Sequence, residues 1–386
     1  MKNSRLFLNP ALFFAVFLII IVGLLLSNFS CDNFVYADQA PKTSAQAMCL
    51  MEVKSKRVLL EKDAQIKLPE ASLTKIITAI VVIENNPDLD KVIKIKKDAT
   101  KIEGSSIYLT AGEHLSIREL LYGLMLRSGN DAAVALAIET SGSVDEFIAL
   151  ANKFCQRIGA KNTHLVTPHG LHDDDHYTTA YDLALISSYA LGNPTFKEIV
   201  GTQQIKISNE SKGDQRLLKN KNKLLKNLDF ATGIKTGYTK KAGRCFAGSA
   251  EKDGMEVVCI LLNCGPMFEE CQNLLEYALN NYKMANLVEP YQTREIPLSN
   301  SNDLSVQITS REGFSYPLSQ EELTNIHFEE NFPDFLTAPI NKNEKVGEIN
   351  VLLKNDLLFS SKFYTIKSVE SNDFVTKLNK IIEGLA

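Results

Sequence analysis

The sequence predicts an α+β fold, an antiparallel sheet flanked by helices, followed by a small all-β sandwich domain. Three observations carry that reading. Strand-like runs stand at both ends of residues 38–288, with helical periodicity between them. The period of the apolar residues changes from 3.6 to 2 near residue 233. From residue 289 onward the chain is mostly short alternating or apolar runs broken by turns.

The elements follow in order. "AQAMCLMEV" and "RVLLEK", around "KSK", form a hairpin. In "PEASLTKIITAIVVIEN", Leu73, Ile76, Ile77 and Ile80 make one apolar stripe, which predicts a helix from about 72 to 85. Ser72 then lies at an N-cap or first-turn position. A capping box would place Glu or Gln three residues on, but the residue is Lys75, a cation at the positive end of the helix dipole. "SIRELLYGLML" does open with a capping box, Ser116 and Glu119. Gly129 interrupts the pattern, "DAAVALAIE" resumes it, and two more helices fit 144–158 and 179–191. "GIKTGYT", "GRCFAGSA" and "MEVVCILL" are strands, the last two joined by the turn "EKDG". "FEECQNLLEYALNNYK" closes this first candidate domain, 38–288, as a helix. In 289–370, "LSVQITS", "GEINVLL" and "SKFYTIKSV" are strands, with "KNDL" as a turn. The tail, 371–386, carries Val375, Leu378, Ile381, Ile382 and Leu385 on one helical face. That face docks on its own domain or lies on a membrane surface.

Composition bounds the partners and the compartment. The 45% hydrophobic and 23% charged fractions are those of a globular protein. The net charge of −4 gives no polycation argument for nucleic acid. Lys2 and Arg5 precede the apolar run "FFAVFLIIIVGLLL", and Val35 and Ala37 suit cleavage after Ala37, so residues 1–37 read as a signal peptide. An uncleaved anchor and a lipoprotein cut before Cys31 are the rival readings. All three put the body outside the cytoplasmic membrane. The six cysteines beyond the signal show no C-x-x-C pair and no zinc spacing, and they read as small core residues.

Ser72 and Lys75, at i and i+3, share a helix face. A serine is a weak nucleophile until a base takes its proton. A lysine serves as that base where burial and neighbouring cations lower its pKa. The S-x-x-K spacing recurs at Ser249–Lys252, but that copy spans a strand end and a turn, where i and i+3 need not meet. Two further motifs accompany the first copy. Ser128-Gly129-Asn130 sits at a helix break and Lys235-Thr236-Gly237 on a strand. In this order they supply a nucleophile with its lysine, a second hydroxyl and amide, and a cation beside a hydroxyl, the set found in class A β-lactamases and penicillin-binding proteins.

With these motifs, and with "LPEASLTKIITA", "GSSIYLTAGEHLSIRELLYGLMLRSGNDAA", "TPHGLHDDDHYTTAYDLALIS" and "GIKTGYTKKAGRCFAGSAEKDGM", the chain resembles the serine D-alanyl-D-alanine carboxypeptidases, the low-molecular-mass penicillin-binding proteins, over about residues 40–370. The resemblance implies a penicillin-binding/β-lactamase-like fold with an all-helical subdomain. It implies an enzyme that removes the terminal D-Ala from peptidoglycan stem peptides through an acyl-Ser72 intermediate and that β-lactam antibiotics acylate. Lys75 would be the base, Ser128 a proton relay, and Asn130 a ligand of the substrate amide. Lys235 and Thr236 would hold the terminal carboxylate, Gly237 would admit the substrate backbone, and the N–H groups of Ser72 and Tyr238 would form the oxyanion hole. No cofactor and no metal are implied, and the family often carries a C-terminal membrane helix.

The chain departs from the family in two places. The helix after the last strand lacks the arginine that often helps hold the carboxylate, and Lys221 or Arg244 are candidates to replace it. Tyr238 stands where some relatives have His. In "HGLHDDDHY", His169, His172 and His176 with three aspartates have the composition of a metal site, against the plainer reading of a solvated loop. Between Glu146 and Glu198 there is no glutamate to activate a deacylating water, which argues against a β-lactamase. A non-catalytic wall-binding protein would have lost a catalytic residue, and all three motifs are intact.

Overall fold

The computed structural model describes residues 40–209, 213–373 and Ile382. The signal-peptide reading, and the tail reading apart from 371–373 and Ile382, lie outside the described residues. No helix among the described residues is long and apolar enough to cross a membrane.

The scaffold is a five-stranded antiparallel sheet in the order β2-β1-β9-β8-β7. Its strands are β1 (Ala47–Glu52), β2 (Val58–Lys62), β7 (Ala231–Thr239), β8 (Gly243–Lys252) and β9 (Met255–Leu262). Successive strand residues face opposite sides. In β1, Ala47, Cys49 and Met51 enter one core, and Met48 and Leu50 enter another. In β9, Val258, Ile260 and Leu262 share the first core, and Val257, Cys259 and Leu261 the second. This two-sided burial explains why both strands read as apolar runs with no alternation.

The larger core lies between the sheet and the helices. Their order is α1 (Thr74–Asn85), α2 (Ile117–Leu126), α3 (Asn130–Ser141), α4 (Val144–Arg157), α5 (Ala180–Leu191) and α6 (Pro194–Gly201). Helix α3 is buried from Asn130 to Ile138 on all sides, which its small alanines permit. The expected capping box forms: Ser116 Oγ accepts from Glu119 N–H, and Glu119 Oε2 accepts from Ser116 N–H. The other Glu119 oxygen accepts from Ser208 N–H at 2.8 Å, tying the helix to β5 (Gln204–Asn209) of the β5–β6 hairpin, whose second strand is Asp214–Lys219. A short pair, β3 (Val92–Lys94) with β4 (His114–Ser116), precedes α2. Behind the sheet, α7 (Leu224–Asn227) and α8 (Met267–Asn281) cover the second core, with Cys271, Leu274, Leu275 and Ala278 facing in. Cys49, Cys155, Cys245, Cys259, Cys264 and Cys271 are all buried and unbridged.

The C-terminal part is β-rich, as expected, but it is not two equal sheets. A six-stranded sheet runs β14-β16-β17-β12-β11-β15, and a two-stranded pair, β10 (Tyr282–Val288) with β13 (Phe314–Ser319), stands beside it. The six are β11 (Thr293–Ser299), β12 (Ser305–Ser310), β14 (Ile326–Asn331), β15 (Leu336–Thr337), β16 (Lys345–Leu353) and β17 (Asp356–Thr365), with the short helix α9 (Gln320–Leu323) after β13. One expectation needs correction: residues 282–288, grouped by sequence with the first domain, hydrogen-bond to β13 instead. Arg57, just before β2, joins the two parts. It pairs with Glu322, bonds to the Pro317 carbonyl, and lies 5.6 Å from the Tyr282 ring and 5.1 Å from the Tyr316 ring.

Candidate active site

Ser72 sits on a 3-10 turn, Ala71–Leu73, that leads into α1, beside the free edge of β7. It does not cap the helix; Leu73 occupies the N-cap position of α1, and no side chain caps there. A Cβ on Gly237 of β7 would stand 2.9 Å from the Glu70 carbonyl and 3.2 Å from Ser72 N. Gly237 therefore admits the turn that carries Ser72.

Lys75 is fully buried one helical turn on, while Ser72 is only half-buried. Lys75 Nζ lies 2.9 Å from Ser72 Oγ, 2.7 Å from Asn130 Oδ1 and 2.7 Å from the His169 carbonyl. Burial holds its pKa well below the usual lysine value, and repulsion from Lys235 and Lys221 adds to this against the opposing pull of Asp131. A neutral amine has two N–H donors and one lone pair. The Asn130 oxygen and the His169 carbonyl are pure acceptors and take the two donors. In that neutral form the lone pair is left for the Ser72 hydroxyl, 2.9 Å away.

Asn130 opens α3 and gives its amide to the Glu103 carbonyl at 2.5 Å, which fixes which end faces Lys75. Its neighbour Asp131 accepts from the N–H groups of Ile107, Leu109 and Ala132, and from Ser106 Oγ at 2.5 Å. It thereby anchors the 105–109 loop. Ser128 is buried in the α2–α3 connection at φ +64°, and among the described residues its hydroxyl makes no hydrogen bond to Lys75 or any other group.

Lys235 is buried, and burial, with Lys221 second, lowers its pKa from 10.5 to about 7. Its ammonium donates to the Thr236 carbonyl at 2.9 Å. Among the described residues the Lys235 ammonium makes no hydrogen bond to the Thr236 hydroxyl. Lys235 opposes Ala247 of the helix-side core, and Thr236 opposes Phe246 of the other core, so the pleat sends the two side chains to opposite faces. Tyr238 follows, with its side chain 65% exposed. Of the two candidate substitutes for the absent arginine, only Lys221 acts electrostatically on both Lys75 and Lys235. Lys221 donates to Ser105 Oγ at 3.2 Å, whereas exposed Arg244 donates to the Gly265 carbonyl at 3.1 Å.

The second S-x-x-K is no dyad. Ser249 is buried with its hydroxyl 2.7 Å from Thr232 Oγ1, while the Lys252 ammonium lies 5.8 Å from the Phe230 ring. The three histidines diverge. His169 Nδ1 accepts from Leu171 N–H at 3.2 Å, and His172 is exposed 3.4 Å from Asp174. His176 is buried, not solvated, and faces Glu70 and Thr74. Glu70, Thr74, Asp131 and the role of His176 escaped the sequence reading.

A half-buried serine against a buried lysine whose pKa is held low by burial and by Lys235 and Lys221 is the arrangement of an acyl-transfer enzyme whose base is an amine. Residues 35–265 match the family described as D-alanyl-D-alanine carboxypeptidase, and residues 282–371 match the penicillin-binding protein 5 C-terminal domain. The chain belongs to this carboxypeptidase family of serine peptidases. It is 28% identical over 375 residues to D-alanyl-D-alanine carboxypeptidase DacF of Bacillus subtilis, covering 94% of this chain and 96% of that relative. It is 29% identical over 355 residues to DacC of Escherichia coli, covering 87% of each. Among solved structures, penicillin binding protein 5 of Haemophilus influenzae shares the fold with a TM-score of 0.74 at 24% identity, over 86% of this chain and 99% of that one.

Proposed function

We propose that this protein removes the terminal D-Ala from peptidoglycan stem peptides ending in D-Ala-D-Ala, and that β-lactams acylate the same serine. The observation that carries the reading is the 2.9 Å approach of Lys75 Nζ to Ser72 Oγ, with the two N–H donors of the amine engaged elsewhere. Lys75 takes the Ser72 proton as Oγ attacks the penultimate carbonyl. The N–H groups of Ser72 and Tyr238 receive the oxyanion. Lys235 and Lys221 hold the terminal carboxylate, with Thr236 reaching it from the strand edge. Asn130 orients the peptide, and Ser128 relays the proton to the departing D-Ala amine. Water then hydrolyses the ester.

The enzyme works outside the cytoplasmic membrane, where its substrate lies. The apolar N-terminal segment or the amphipathic tail holds it at the membrane surface. Incubation with a synthetic pentapeptide ending in D-Ala-D-Ala should release free D-Ala, and Ser72→Ala should release none. Release that survives Ser72→Ala would overturn the assignment of the nucleophile.

A further inference from the structure

Beneath Ser72 lies a buried polar cluster that the acyl-transfer steps above do not use. Ala71, directly before the nucleophile, is buried at φ +51°, a left-handed conformation that an alanine disfavours. Such a residue persists only where its surroundings over-determine it. Here the Ala71 carbonyl accepts from Thr74 Oγ1 at 2.7 Å. Glu70 Oε1 is a second acceptor within reach of the Thr74 hydroxyl, at 3.2 Å; with the proton on the nearer Ala71 carbonyl, the Thr74 oxygen is an acceptor toward His176 Nε2, 2.9 Å away. His176 Nδ1 accepts from the N–H groups of Val166 and Thr167 at 3.0 and 3.3 Å, so the imidazole proton sits on Nε2. Nε2 is also 3.1 Å from Glu70 Oε1.

Glu70 and Thr74 are wholly buried, and His176 nearly so. Glu70 Oε2 finds no donor among the described residues. A buried carboxylate with one unsatisfied oxygen is costly to the fold, so stability alone is a poor reason for it. Gly170, from the loop that also carries His176, abuts the Ala71 carbonyl so closely that its own Cβ would lie 1.9 Å from that oxygen. The same loop presents the His169 carbonyl to Lys75. One loop thus grips the turn of the nucleophile and the amine of the base.

We propose that Glu70, His176 and Thr74 are positioning residues that hold Ala71 left-handed and so aim Ser72 Oγ at Lys75. Glu70 orients the imidazole, the imidazole orients the Thr74 hydroxyl, and the hydroxyl pins the Ala71 carbonyl. The inference rests on the serine-acylation reading above.

Glycine adopts φ +51° without restraint, so Ala71→Gly should make the brace dispensable. The test is the second-order rate of acylation of the full chain by a fluorescent penicillin, with the thermal midpoint recorded in parallel. Thr74→Val should slow acylation by about 10- to 100-fold, the scale of an ångström-sized misplacement. Thr74→Ser, which keeps the hydroxyl, should restore most of the rate. Adding Ala71→Gly to Thr74→Val should bring the rate to within about threefold of Ala71→Gly alone, a coupling that general destabilisation would not produce. Glu70→Gln should slow acylation in the same rescuable way, and it carries the test if Thr74→Val does not fold. Unchanged acylation in both variants, or a loss that Ala71→Gly leaves unrepaired, would overturn the inference while wild-type acylation upheld the enzyme reading. A wild-type chain that forms no adduct would overturn both.

Discussion

Replacing Lys235 with methionine should stabilise the protein and disable it. Burial, then Lys221, lowers the Lys235 pKa from 10.5 to about 7. At ~1.4 kcal/mol for each power of ten in proton affinity, holding the ammonium charged in the fold costs ~5 kcal/mol. The sign follows from linkage. The native pKa lies below the unfolded one, so between about pH 7 and 10.5 the unfolded chain keeps a proton that the native chain releases, and stability rises with pH across that window. From pH 7 to 9 this one group should add ~2 kcal/mol. Methionine fills similar space without charge, so Lys235→Met should melt higher than wild type at pH 7 and lose this rise. Function should move the other way. A charge-assisted hydrogen bond to the terminal carboxylate is worth ~1.5–3 kcal/mol, or about 10- to 100-fold in kcat/KM on a peptide acid. On the C-terminal amide of the same peptide the loss should be much smaller. Thermal midpoints at pH 7 and 9, with D-Ala or D-alaninamide release from both peptides, give all four quantities. Equal losses on acid and amide would refute carboxylate recognition and assign Lys235 to the chemistry, through its repulsion of Lys75. A variant no more stable than wild type at pH 7 would refute the cost assigned to the buried ammonium.

Penicillin should add one acyl group to Ser72, seen by intact mass, absent in Ser72→Ala and retained in Ser249→Ala; that adduct should persist, and turnover at roughly 1–10³ s⁻¹ would favour a β-lactamase. Asn130→Asp places an anion where Oδ1 lies 2.7 Å from Lys75 Nζ, which favours the ammonium, so the acid limb of the acylation rate should move to higher pH; a fixed limb would mean that Lys75 is not the titrating base. Truncation after residue 372 should weaken membrane association in fractionated cells, and unchanged association would assign the anchoring to the N-terminal segment.

Local rules made the scaffold legible. The stripe Leu73, Ile76, Ile77 and Ile80 is buried throughout, and the Ser116–Glu119 box forms as spaced. The Ser72–Lys75 spacing was legible for the same reason, since i and i+3 meet on one face of a helical turn, here the 3-10 turn that runs into α1. What stayed hidden depends on partners far along the chain. His176 is 102 residues from Thr74, and nothing in "HDDDHY" marks one imidazole as buried. Asp131 reads as an ordinary acid at a helix start, yet it is spent on N–H groups more than 20 residues back. Strand β10 follows α8 without a break, so its residues looked like more of the same domain until their pairing with β13 was known. Thr236 shows the limit of adjacency: consecutive residues on a strand are neighbours in sequence and opposed in space.

The Arg57 junction bears on where catalysis can happen. Arg57 leads into β2, one border of the sheet, whereas Lys235 lies on β7, the other border. Four strand spacings of ~4.8 Å put roughly 19 Å of hydrogen-bonded sheet between them. A sheet is stiff across its ladders, so it works as a spacer bar with the reactive cleft at one end and the bracket at the other. Loops around the cleft are free to diverge toward new wall chemistries without loosening the mount, and changes in the mount re-aim the cleft as a rigid whole.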